Sequence, residues 1–317
     1  MNKRNFLGFC GSAALSTAFF NRFSVPVFAR ASDDFVGLDA TAQSELFKSG
    51  KVSAVELVEA AIRRIEVYDG QLNSVVIKAY EQTRAQAKTA KPEDGPFAGI
   101  PYLLKCLMAK KGQVHSWASR ARAFEVAEAS DPVTDAFEKT GAIYLGQSNA
   151  PEYGSIASTE SNLYGRGRNP FDLARGPAGS SGGSAIAVAA GLVPIATADD
   201  GGGSIRMPAA ACGLVGLKCS RAREEGHEES LLVNTGRVSS SVRDTATVID
   251  AFERKDNADL PAIGRITGPS KERLKVAFTN VGLKRKPRPI QTWQRERKLQ
   301  PNCLKGWGTM SKRHALR

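Results

Sequence analysis

Two glycine-serine clusters, Gly179-Ser180-Ser181-Gly182-Gly183-Ser184 and Gly201-Gly202-Gly203-Ser204, mark the stretch of this chain best suited to chemistry. A glycine inside a helix costs about 1 kcal/mol relative to alanine. Runs of it belong where backbone must approach a ligand closely or adopt positive φ. Such a loop turns several backbone N–H groups into one concavity, which can hold an anion or, in acyl transfer, the oxyanion of a tetrahedral intermediate. A phosphate cradle fits poorly, because no GxxxxGK[ST] occurs and neither cluster completes a GxGxxG with an acidic residue well placed beyond it. A solvated linker fits poorly too, since the flanking segments are rich in Ala and Val and read as buried.

A serine in such a loop needs a base. The three histidines, His115, His227 and His314, are scattered, and His227 sits among Glu224, Glu225, Glu228 and Glu229 in what reads as an exposed polar loop. A Ser–Lys arrangement is the alternative, and it needs an amine buried away from water so that it can give up its proton. Lys105 is the candidate, between Ile100-Pro101-Tyr102-Leu103-Leu104 and Cys106-Leu107-Met108. An edge-strand lysine snorkelling to water has the same local sequence, and residue types alone leave both readings open.

The surrounding elements alternate. Asp39 is placed to cap a short helix reaching Phe47, and Ser53-Ala54-Val55-Glu56 is a capping box opening a helix with Val58, Ala61, Ile62 and Ile65 on one face, ended by Asp69-Gly70. Strands are expected at 75–77, 100–107, 141–146, 193–197 and 274–279, and helices at 80–89, 133–140, 184–190 and 242–252. Pro92 to Pro96 reads as a loop. The pattern predicts an α/β fold, a mixed β-sheet covered by helices.

Composition sets outer bounds. With 317 residues, 42% of them hydrophobic, the chain can bury a sizeable core. The net charge of +12 is local: residues 284–317 carry eleven Lys/Arg against Glu296 alone, which leaves +2 for residues 1–283. Charge confined to a tail gives no specific nucleic-acid footprint. The five cysteines show no CxxC spacing, so neither a zinc site nor a disulfide framework is expected. Residues 1–31 have the three parts of a signal peptide: Lys3-Arg4, an apolar run from Phe6 to Phe20, and Val27-Phe28-Ala29-Arg30-Ala31. The start resembles a twin-arginine signal with Lys in the first place. The expectation is export to the periplasm, with a cytoplasmic location as the alternative and no membrane span.

The block from Arg175 to Lys218 resembles the amidase signature nearly end to end. Gly99-Ile100-Pro101 with Lys105, Gly146-Gln147-Ser148-Asn149-Ala150-Pro151-Glu152-Tyr153-Gly154, Asn169-Pro170 and Ser241-Val242-Arg243-Asp244-Thr245-Ala246 resemble further stretches of that family. The wording is most similar to bacterial amidases of the 6-aminohexanoate-cyclic-dimer hydrolase kind. The resemblance implies the amidase-signature fold over residues 32–283 and a Ser–cis-Ser–Lys triad that hydrolyses a carboxylic amide through an acyl-enzyme. It makes Ser204 the nucleophile, Ser180 the proton relay after a cis Gly179–Ser180 bond, and Lys105 the base. It assigns the oxyanion hole to Gly201, Gly202 and Gly203, with the Ser204 N–H, and supporting places to Ser181, Asp200 and Arg206. It implies no metal or cofactor and a small-molecule amide as substrate, and leaves the oligomeric state open.

Three departures stand beside it. Cys106 occupies a position where the family commonly has Asp. The family usually continues for roughly another ~150 residues, so a chain shortened at its C-terminal side is expected. Residues 284–317 lose the family's character and read as a disordered tail or as translation in a shifted frame, which translating the downstream DNA in the other frames distinguishes. An inactive remnant and an amidotransferase-type amidase subunit are therefore the competing functions. The export signal weighs against the second, because tRNA is modified in the cytoplasm.

Overall fold

A computed structural model describes residues 35–224, 232–254, 260–264, 266 and 268. The chain divides into two units, Met1–Ile266 and Thr267–Arg317, and all described residues except Gly268 belong to the first. The expected signal segment, the 274–279 strand and the basic tail lie outside the described residues.

Helix α1 spans Ala40–Lys48, with the Asp39 carboxylate accepting from the Ala42 N–H. Helix α2 spans Ala54–Leu72 behind a complete Ser53/Glu56 capping box. It runs through Asp69-Gly70, where a stop was expected. Asn73 ends it in the left-handed conformation at φ 53°, and Asp69 instead accepts from the N–H groups of Ser74 and Val75 just beyond. Strand β1 (Val75–Lys78), helix α3 (Tyr80–Thr89), strand β2 (Pro101–Lys105), helix α4 (Pro132–Glu138) and strand β3 (Ile143–Ser148) follow. A short 3-10 turn, Pro92–Asp94, lies within the expected loop. A two-stranded ribbon, β4 (Glu160–Ser161) and β5 (Gly165–Arg166), precedes helix α5 (Gly182–Ala189) and strand β6 (Ile195–Asp200). Helix α6 (Arg206–Ala211), strands β7 (Val215–Gly216) and β8 (Asn234–Ser239), and helix α7 (Val242–Phe252) complete the described part.

Six strands form one mixed sheet in the order β1-β3-β2-β6-β8-β7. Strand β2 pairs parallel with both β3 and β6, in registers Lys105↔Ser148 and Leu103↔Ala196. The C-terminal ends of all three therefore lie at one edge of the sheet, the edge where open α/β sheets place their ligands. Helices bury both faces. Leu103, Leu145 and Ala196 pack with Val58, Ile62, Ile65 and Ile186 on one side. Their neighbours Tyr102, Leu104, Tyr144 and Ile195 pack with Leu57, Phe137, Val248 and Phe252 on the other. Period-two alternation thus divides each central strand between two cores. Lys105, two residues after Leu103, follows it onto the face that α5 covers.

Helix α5 begins at Gly182, two residues before the expected start. Both glycines at its head are required by close approach. A Cβ at Gly182 would lie 1.9 Å from Thr159 Oγ1, and one at Gly183 would lie 2.2 Å from the Asn149 nitrogen. Their helix-propensity cost is offset by bringing the helix head against the backbone that follows β3.

Candidate active site

The last residue of β2 meets the serine cluster. Lys105 is fully buried, and its backbone N–H donates to Thr197 Oγ1 of β6 at 2.8 Å. Its Nζ lies 2.6 Å from Ser180 Oγ, 3.0 Å from Ser181 Oγ and 2.7 Å from Asp199 Oδ1. The snorkelling reading is thereby overturned: the amine points inward, into the Gly/Ser loop. Ser180 follows a cis Gly179–Ser180 peptide bond and is itself buried. Ser148 on β3 and Ser184 on α5 share a hydrogen bond at 2.7 Å, and Ser184 Oγ also donates to the Thr197 carbonyl at 2.7 Å, locking the head of α5 to the strand ends.

Ser204 sits on the second cluster, between β6 and α6. Its carbonyl accepts from the Ser181 N–H at 3.2 Å, which ties the two serine loops together. Among the described residues its hydroxyl forms no hydrogen bond, and it is half-buried, where Ser180 is not.

Asp200 holds this loop. Its carboxylate, fully buried, accepts from the backbone N–H of Gly203 (2.7 Å), Ile205 (3.2 Å) and Arg206 (3.4 Å). It also takes a two-pronged contact from the Arg206 guanidinium at 2.8 and 2.9 Å. Burial works to raise its pKa, but the Arg206 hydrogen bonds and the three backbone donors outweigh burial and hold the carboxyl well below the usual carboxylate range. Lys218 adds a second cation 3.6 Å from Asp200 and donates to the Gly201 carbonyl at 3.0 Å.

These bonds occupy part of the expected oxyanion hole. The Gly203 N–H is committed to Asp200, so it is a brace of the loop in this arrangement and no free donor. The Gly201 carbonyl faces Lys218, and in a trans peptide the Gly202 N–H then points the opposite way. Gly201, Gly202 and Ser204 retain N–H groups outside the Asp200 cluster.

Cys106, beside the amine, is fully buried, and burial pushes its thiol up to about 12 against the opposing pull of the Lys105 charge. It is a neutral group at ordinary pH. Sequence reasoning found Lys105, Ser180, Ser181, Asp200 and Arg206 but overlooked Asp199, Thr197 and Lys218. The available signal was alternation. Asp199 and Asp200 are successive residues of one strand, so their side chains leave on opposite faces, and two carboxylates there must have two partners. Among the described residues, no cluster of three His, Cys, Asp or Glu side chains could hold a metal ion, and no helix is long and apolar enough to cross a membrane.

Comparison with known proteins places the fold. The chain is 37% identical over 222 residues to the 6-aminohexanoate-cyclic-dimer hydrolase of Paenarthrobacter ureafaciens, covering 67% of this chain and 44% of that protein. The hydrolase of the same name from Pseudomonas sp. (strain NK87) matches to the same extent. Among solved structures, 6-aminohexanoate cyclic dimer hydrolase complexed with substrate superposes with a TM-score of 0.65 at 34% identity, over 74% of this chain and 49% of that one. A bacterial aryl acylamidase of the amidase signature family does so with a TM-score of 0.66 at 33% identity, over 72% and 50%. The chain thus spans about half the length of these relatives. The profile of the amidase family matches residues 56–287, most of the chain, and the chain belongs to the amidase family.

Proposed function

We propose that this chain hydrolyses a carboxylic amide of a small molecule through an acyl-enzyme on Ser204. The observation that carries the reading is the fully buried Lys105 amine 2.6 Å from Ser180 Oγ. In the free-base form the amine accepts the Ser180 proton while Ser180 Oγ accepts the proton of Ser204. Ser204 Oγ forms a bond to the amide carbon, and the carbonyl oxygen becomes an oxyanion facing the N–H groups of Gly201, Gly202 and Ser204. The proton returns from Lys105 through Ser180 to the leaving nitrogen as the C–N bond breaks. Water then attacks the ester by the same relay, releasing the acid and restoring the Ser204 hydroxyl. The names of the relatives support linear or cyclic amides as the substrate class.

The test is labelling with a fluorophosphonate, which phosphonylates an activated serine and releases fluoride. The full chain is expected to label on Ser204. Ser204→Ala abolishes labelling, and Lys105→Ala slows it by about 10²–10⁴-fold, the usual worth of a positioned base. A folded parent chain that does not label is an inactive remnant, and the proposal then falls. The three-part N-terminus supports periplasmic delivery, which cell fractionation checks: uncleaved protein confined to the cytoplasm refutes it.

A further inference from the structure

We propose that Asp199 is a positioning residue for the Lys105 amine, fixing its rotation so that the lone pair of the free base faces Ser180. The inference rests on the acyl-enzyme reading above and adds a group to it.

Donors and acceptors around the amine must match. The Lys105 ammonium has three N–H bonds and three partners: Ser180 Oγ at 2.6 Å, Ser181 Oγ at 3.0 Å and Asp199 Oδ1 at 2.7 Å. On losing a proton it keeps two N–H bonds and gains one lone pair, which needs a partner able to donate. The Asp199 carboxylate can only accept. The Ser181 hydroxyl is turned away, because it donates to the Asp199 carbonyl at 3.3 Å while accepting from the Asp199 N–H at 3.3 Å. Both groups therefore hold N–H bonds, and the one hydroxyl left to donate into the lone pair is that of Ser180. Asp199 supplies three of the atoms in this arrangement: the carboxylate oxygen on the amine, and the backbone carbonyl and N–H that orient Ser181.

Strand geometry gives the same residue no other occupation. Asp200, its neighbour, faces Arg206 and Lys218 and braces the glycine loop. The side chain of Asp199 is 14% exposed and pairs with the Lys105 amine at 2.7 Å. The other titratable side chain beside the amine is Cys106, held neutral by burial, so Asp199 is the negative charge the described residues place there.

The experiment measures the rate of fluorophosphonate labelling of Ser204 against pH in the full chain. Asp199→Asn replaces an obligate acceptor by a group that also donates and so competes for the lone pair. The expected result is labelling slowed at least tenfold on the pH plateau. The shape of the pH profile is expected to change with it, which a loss of stability alone does not produce. Asp199→Ala, which adds no donor, keeps the test decisive if the Asn side chain disturbs folding, and it is expected to slow labelling and alter the profile as well. A folded variant with the parent rate and profile overturns the proposal while leaving the acyl-enzyme reading intact. Failure of both variants to fold, followed by circular dichroism, overturns it in favour of a purely structural role. A parent chain that does not label overturns both readings together.

Discussion

At the scale of single residues, adjacent carboxylates on one strand carry different burdens. Asp200 is fully buried yet stays charged because Arg206 and three backbone N–H groups converge on it. Removing one member of such a cluster leaves the others without their charge. Asp200→Asn is expected to destabilise the chain by about 2–4 kcal/mol at neutral pH, less than a fully enclosed pair would lose because the Arg206 side chain is 54% exposed. The folded carboxyl titrates below its ordinary value of 3.8. Its contribution is therefore present above about pH 4 and lost as pH falls through the lower folded value. Urea-unfolding midpoints of parent and variant should differ at pH 7 and converge in acid; a gap that persists undiminished at the lowest pH where the chain folds would refute this account. The sequence exposed Asp200 through its motif. Alternation separates 199 from 200 but does not say which of them reaches Lys105; the folded contact at 2.7 Å does.

At the scale of elements, what was legible followed from local rules. The capping box at Ser53 and Glu56 forms as its spacing requires, and helices over 80–89 and 242–252 span their expected residues. These are segments whose signals are internal. Strand β8, Asn234-Thr235-Gly236-Arg237-Val238-Ser239, carried no such signal, being polar and glycine-containing. It is a strand because β6 and β7 pair with it on either side and because Glu224 receives the buried Arg237 guanidinium at 2.7 and 2.8 Å. Helix α6 was missed for a related reason: Pro208 and three alanines show no apolar period, and Asp200 supplies its start from outside. The joint between α1 and α7 was equally silent. Asp244, in the first turn of α7, accepts from the Ala40 N–H (2.8 Å), the Thr41 N–H (2.9 Å) and Thr41 Oγ1 (2.6 Å), capping a helix about two hundred positions earlier in the chain. Arg243 returns the favour with two contacts of 2.6 Å to Asp39. Asp244→Ala leaves those buried donors unmatched and is expected to cost about 2–3 kcal/mol. Amide hydrogen exchange should rise in residues 39–48 as well as in α7; protection unchanged in α1 would show that the joint is not what holds that helix.

At the scale of the whole molecule, the sheet gathers the proposed chemistry at one edge, while burial keeps thiols and phenols in their neutral forms. Burial pushes the thiols of Cys106 and Cys212 up to about 12, and the phenols of Tyr102 and Tyr144 are raised by the same cause. In the unfolded chain a thiol loses its proton near the ordinary 9.0. Between those values the unfolded state binds fewer protons than the folded one, so stability is fully present below about pH 9 and drains away as pH rises toward 12. Each of the two buried thiols contributes a slope of about 1.4 kcal/mol per pH unit in that window, and the phenols steepen it from about pH 10. Denaturant-unfolding midpoints measured from pH 7 to 11 should be level at first and then fall. Cys106→Ala with Cys212→Ala should flatten the first part of that fall while lowering the plateau, since two well-packed side chains are lost. A double variant that keeps the parent's alkaline slope would mean that the thiols reach solvent before global unfolding, and iodoacetamide should then alkylate both in the native chain at pH 8. The arrangement predicts the reverse: no alkylation of either cysteine without unfolding, because both are buried, and Cys106 is enclosed with Leu107, Ala118 and Ala150 directly beside the lysine on which the proposed reaction depends.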